Sequence, residues 1–158
     1  RGSHAKTAAI CIGVLLMAYA GLCTLYRAFT FIGATFDAPT ERIFQFLLPQ
    51  SEWWQNVVVF FLPGVCETGR HMLRYTLPTS KTPQRVGTVL VVINMVYMVS
   101  LWLNTRGFNA LSVLLGAVLA VVYVVCNMKL AAFLVSKLRK WFSRSLGADT
   151  LWPDLRDG

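Results

Sequence analysis

The chain has 158 residues, 56% hydrophobic and only 14% charged, with a mean hydropathy of +0.56 and a net charge of +8. A soluble domain of this length carries about a quarter charged residues. Here the apolar residues fall in long blocks, which argues against a water-soluble core and for an integral membrane domain. The basic residues flank those blocks, as expected for topology signals that meet anionic lipid, so no direct nucleic-acid binding is expected.

The opening RGSH resembles the remnant of an expression tag, and residues 1–5 are set aside from the fold reasoning. Thr7–Tyr26 carries no charge and is long enough to cross a hydrocarbon core of about 30 Å, giving a first span at 7–26. It reads as uncleaved, because the apolar run continues past Ala18–Ala20 and Leu22 is too large for a usual lipoprotein site before Cys23. The apolar stretch after Arg27 continues along the membrane surface or prolongs the helix. Asp37, Pro39 and Thr40 interrupt it, and Glu41–Leu48, closed by Pro49, reads as a short interfacial or re-entrant helix.

A second span is expected at 53–74. Ser51 can cap it, Glu52 suits the positive end of its dipole, and Trp53 and Trp54 suit the membrane interface. Pro63-Gly64 predicts a kink inside it. Pro78–Pro83 is a turn-rich connector. A third span at 86–103 and a fourth at 110–128, joined by Asn104–Asn109, form an antiparallel hairpin. Beyond Lys129 the apolar residues recur every three or four positions, so 129–146 is a basic amphipathic helix. Residues 147–158 are polar and read as a flexible tail, loose until bound, with one Trp-Pro pair at Trp152.

Four spans put both ends on one side. Arg27, Arg42 and Arg106 then lie on the opposite face, with Asp37, Glu41 and Glu52, while the other twelve of the 15 Lys and Arg gather on the side of the termini. The positive-inside rule makes that side cytoplasmic, in a plasma membrane or, in a bacterium, the inner membrane. The expected fold is therefore all-α, N-in and C-in. A four-span unit buries limited surface, so a homo-oligomer is expected.

Glu67, Arg70, His71 and Arg74 share one helical face at the cytoplasmic end of the second span. The simplest reading is an interfacial stripe with a Glu67 pair to Arg70 or His71. A lipid phosphate shared by Arg70 and Arg74, with His71, is the next. Catalysis by Cys66, Glu67 and His71 needs side chains that helical geometry does not converge. ETGRHMLR is loosely similar to the Glu-Arg-x-x-Arg motif of the membrane-associated eicosanoid and glutathione transferases. It departs from that motif at Thr68, where the family has arginine, and in lacking the asparagine that follows, so the similarity supplies no site residues.

Ser112, Gly116 and Ala120 form a small-residue face suited to helix packing. Asn94, Ser100 and Asn127 are the polar residues of the third and fourth spans, either interhelical hydrogen-bonding groups or the lining of a pore. The four cysteines read as small buried hydrophobes. No metal-ligand spacing, phosphate loop or serine nucleophile motif occurs, and no cofactor is expected. No ionisable residue falls mid-span in spans one, three or four, which disfavours pumps and proton-coupled transporters.

The expected function is non-enzymatic: an oligomeric sensor or scaffold that presents basic surfaces to anionic lipid and recruits a cytosolic protein. A role in bacterial stress or phage defence suits it, with lipid packing felt by Phe44, Phe46, Trp53 and Trp54. Arg70, His71, Arg74, Lys137, Arg139, Lys140, Arg144 and Trp152 are the candidate lipid or partner contacts. An oligomeric channel and a small enzyme acting on a lipid or thiol are the alternatives.

Overall fold

The computed structural model describes residues 2–147 and 150–155, and among them the regular structure is entirely helical. Arg1, Arg156 and parts of the expected tag and tail lie outside the described residues. The helices are α1 (Gly2–Phe31), α2 (Ala38–Leu47), α3 (Glu52–Phe60), α4 (Leu62–Thr76), α5 (Thr82–Arg106) and α6 (Ala110–Leu146).

Three of them, α1, α5 and α6, are long and apolar enough to cross a membrane. They contain the spans expected at 7–26, 86–103 and 110–128. Residues 2–5, set aside as a tag remnant, form the first turn of α1, where Ala5 is buried. The fourth expected span, 53–74, falls on two shorter helices of nine and fifteen residues joined by Phe61 alone. The sequence predicts a kink at Pro63; the structure interrupts the helix just before it. Ser51 stands at the N-cap of α3, but its side chain makes no capping bond. The expected span at 110–128 and amphipathic helix at 129–146 are one helix of 37 residues, about 55 Å long at 1.5 Å per residue. Asn109 starts it by accepting from the Ser112 amide at 2.9 Å, and Gly147, with φ of +58°, ends it.

The bundle is organised around α4, which packs against α1, α5 and α6. This is the least apolar helix, yet Leu62, Pro63, Gly64, Cys66, Thr68, Gly69, His71, Met72, Leu73 and Thr76 are all buried. Small residues explain how: a Cβ on Gly69 would stand 2.6 Å from the Gly13 carbonyl oxygen, so the α1 and α4 backbones touch there. Conversely, Val89, Val92, Val96, Leu114, Val118 and Val121 of α5 and α6 are exposed. On α5 and α6 these apolar side chains face outward while Asn94, Ser112 and Asn127 are buried, the arrangement favoured where the surroundings are hydrocarbon.

Two apolar cores result. One gathers Met17, Ala20, Cys23, Leu62, Cys66 and Leu90 at mid-bundle. The other, around Ala9, Met72, Val135, Phe142 and Trp152, lies where the start of α1, the end of α4 and the second half of α6 meet. The loop carrying α2 leaves Ile43, Phe46, Trp53 and Trp54 exposed at the far end.

Candidate functional site

Proline has no amide hydrogen and its ring crowds the preceding turn, so the α3–α4 junction leaves backbone groups without helical partners. Asn127 of α6 supplies them. Its Nδ2 donates to the Phe60 carbonyl at 3.0 Å and to the Tyr123 carbonyl at 2.9 Å, while its Oδ1 accepts from the Gly64 amide at 2.8 Å. Gly64 makes room, since a Cβ there would lie 2.9 Å from the Asn127 carbonyl oxygen.

A second polar seam joins α1 to α5. Asn94, 1% exposed, donates from Nδ2 to Thr24 Oγ1 at 2.8 Å. One turn further along both helices, Arg27 donates to Tyr97 Oη at 3.2 Å, and also reaches Gln55 Oε1 at 2.6 Å and Asn56 Oδ1 at 3.1 Å. Arg27 thus ties α1, α3 and α5 together through neutral acceptors. Beside it Tyr26 Oη donates to Glu41 at 2.9 Å and stacks on Phe44, which seats α2. In the same loop Asp37 caps α2, and hydrogen bonds from the Thr40 hydroxyl and amide hold its carboxyl below the usual carboxylate range.

Asn94, Ser100 and Asn127 do not converge. Asn94 turns toward α1 and Asn127 toward the α3–α4 junction, while Ser100 is only half-buried. Ser112, Gly116 and Ala120 do share one face of α6, and Trp102 of α5 lies over it: its indole Nε1 donates to the Ser112 carbonyl at 2.8 Å, and a Cβ on Gly116 would meet that nitrogen at 2.9 Å. Next to this face, an apolar cavity of about 450 Å³ lies between α5 and α6, lined by Met98, Trp102, Phe108 and Tyr123 among others.

The charged stripe of α4 divides. Glu67 and Arg70 form a 3.0 Å ion pair, as the spacing predicts. Arg70 also donates to Thr88 Oγ1 at 3.1 Å and Arg74 to Gln84 Oε1 at 3.1 Å, so both arginines lean on α5. Gly87 admits the Arg70 stem, which a Cβ there would meet at 2.5 Å. His71 faces the other way, is 5% exposed, and its Nε2–H donates to the Pro153 carbonyl at 2.7 Å. Cys66 belongs to the mid-bundle core, away from that contact.

Pro153 belongs to the tail, which the sequence presents as loose. Residues 150–155 instead fold back on the bundle. Trp152, expected as a lipid or partner contact, is 1% exposed, lies edge-on to Phe142 with ring centroids 5.2 Å apart, and donates to the Val135 carbonyl at 3.3 Å. Arg139 holds the segment at its rim through Asp154 at 3.2 Å and Thr150 at 3.0 Å. Lys137, Lys140 and Arg144 remain exposed on the same helix, with Lys137 over the Phe133 ring. Polar composition misled here, because the groove that receives Trp152 is built from three helices and has no signature within the tail. Arg27 was likewise missed as a junction, since its partners lie on α3 and α5.

Among the described residues no group of His, Cys, Asp and Glu is gathered to hold a metal, and the four cysteines are unpaired. Comparison with family models, curated proteins and solved structures finds no match.

Proposed function

We propose that the chain is a non-enzymatic, four-span membrane subunit with both termini cytoplasmic, an oligomeric sensor or scaffold that recruits a cytosolic protein. The single observation that carries this reading is α6: one unbroken helix runs from an outward-facing apolar half to a half bearing exposed Lys137, Lys140 and Arg144. Such a helix offers cations at a fixed distance from the bilayer, to anionic lipid and to an acidic partner. The direct join of α3 to α4 through Phe61 supports a fourth, broken span, and the outer apolar loop around Phe46, Trp53 and Trp54 supports a sensor of lipid packing. Bacterial stress or phage defence is the setting that suits such a device, in the inner membrane.

Deleting Lys137–Gly158 is a poor test, because it strips Phe142 and Trp152 from the core that also contains Ala9 and Met72. Charge reversal of Lys137, Lys140 and Arg144 to Glu spares that core. Recruitment of the cytosolic partner, read by co-purification in mild detergent, is expected to be lost while membrane insertion persists. Undiminished recruitment sinks the proposal. For topology, a label placed at the carboxyl end is expected to be shielded in intact cells and accessible after permeabilisation.

A further inference from the structure

The segment Thr150–Leu155 is held the way a bound peptide is held. It is not helical and joins no backbone ladder; its anchors are one indole, one carbonyl, two apolar side chains and a rim ion pair. Among the described residues, Trp152 is the largest side chain that is fully buried. The floor beneath it, Ala9, Met72 and Val135, is contributed by α1, α4 and α6, which also pack on one another through α4. The rim is weak by contrast: Arg139 and Asp154 are 36% and 51% exposed, and an ion pair so open to solvent adds little.

Charge follows the same division. The last twelve residues hold three of the seven acidic residues of the chain, whereas the second half of α6 carries Lys129, Lys137, Arg139, Lys140 and Arg144. An apolar pocket that buries a tryptophan, with the cation Arg139 at its rim, is the chemistry by which a short aromatic and acidic segment is recognised.

We propose that the groove between the start of α1, the end of α4 and the second half of α6 is a peptide-docking site. Its ligand is a partner segment with a tryptophan two residues ahead of an acidic residue, and the chain's own tail fills it until such a segment displaces it. The inference rests on the recruitment reading above and gives it a site. Arg139 serves both occupants in turn, through Asp154 in the resting chain and through the partner's carboxylate afterwards. His71 donates to whichever backbone carbonyl follows the tryptophan.

The test uses the full chain in phosphatidylcholine nanodiscs and a fluorescent peptide, TLWPDL, followed by anisotropy. A tail competing in cis lowers apparent affinity by the fraction of open molecules, so Trp152→Ala is expected to bind the peptide about tenfold tighter than the unaltered chain, and Asp154→Arg about twofold to threefold tighter, in keeping with the exposed pair it removes. Adding Arg139→Glu to either is expected to reverse the gain, and a peptide with alanine for tryptophan is expected not to bind. If Trp152→Ala loses helical circular dichroism, Asp154→Arg decides, because that side chain is exposed and fills no core. Equal binding by variant and unaltered chains overturns the proposal. So does a gain seen only with vesicles containing phosphatidylserine, which makes the tail a cover for a lipid-binding surface. Peptide binding as expected, together with recruitment unaffected by reversal of Lys137, Lys140 and Arg144, upholds the groove and removes only the recruitment reading.

Discussion

Asn127 Oδ1 accepts from the Gly64 amide at 2.8 Å, where an unbroken helix would present the Phe60 carbonyl; that carbonyl receives the Asn127 Nδ2–H instead, at 3.0 Å. One side-chain amide is therefore inserted into the hydrogen-bond ladder of another helix. It completes both broken ends of the α3–α4 junction and fastens α6 to them.

Replacing Asn127 with Leu leaves a buried donor and a buried acceptor without partners. Each such group costs about 1–3 kcal/mol, and hydrogen bonds in membranes measure toward the low end, so a loss of about 2 kcal/mol is expected in reversible unfolding from bicelles. Pro63→Ala restores a backbone donor at the junction and lets Gly64 pair with Phe60 directly. In the Pro63→Ala background the cost of Asn127→Leu is expected to fall by half or more. Additive costs in that double-mutant cycle would refute the inserted-amide account.

The crossing of α1 and α4 predicts an order of severity. A Cβ on Gly69 meets the Gly13 carbonyl oxygen, a backbone atom that cannot yield, at 2.6 Å. A Cβ on Gly13 meets the Leu73 side chain at 2.9 Å and a backbone atom, the Gly69 carbonyl oxygen, only at 3.3 Å. Gly69→Ala is expected to cost about 2–3 kcal/mol, at the upper end of overpacking effects, and Gly13→Ala clearly less. Thermal unfolding in detergent checks the order.

Arg27 is a junction because its planar fork reaches three partners together. Lysine in its place keeps the charge and loses that geometry. Arg27→Lys is expected to speed proteolysis between Pro49 and Ser51 and to raise amide exchange in α3, with exchange in α4 little changed. Uniform exchange across both helices would show that α3 is not held from this point.

A pH effect is expected at the start of α2. The folded Asp37 carboxyl titrates below its ordinary value of 3.8, because its ionised form accepts the Thr40 bonds. Its contribution to the cap is therefore complete above that ordinary value and is lost as pH falls through the lower, folded one. The Thr40 amide resonance is expected to move in that acid range and to lose the movement in Asp37→Asn. A midpoint above 3.8 would contradict the capping geometry.

The long apolar blocks made α1, α5 and α6 legible, because hydrocarbon-crossing length and composition are written along the chain itself. Their ends were not, since helix continues past the apolar limit into polar residues such as Lys6 and Arg106. The change of period at Lys129 looked like a boundary, but nothing between Met128 and Leu146 breaks a helix, and α6 runs through it. Pro63 announced a disturbance; its repair by Asn127, far along the chain, was invisible to local pattern. The Glu67–Arg70 pair followed from spacing alone. His71, Trp152 and Arg27 take their places from partners on other elements, which no window of sequence contains.

The unbroken course of α6 has a mechanical consequence. On the sensor reading proposed above, a rod without a hinge would pass on a tilt rather than absorb it, so a change in membrane thickness or curvature that leaned its apolar half would be carried to the opposite tip. The tip carries Phe142, against which Trp152 rests. On that reading lever and latch would be one piece, and a displacement in the bilayer would be felt where the tail is seated.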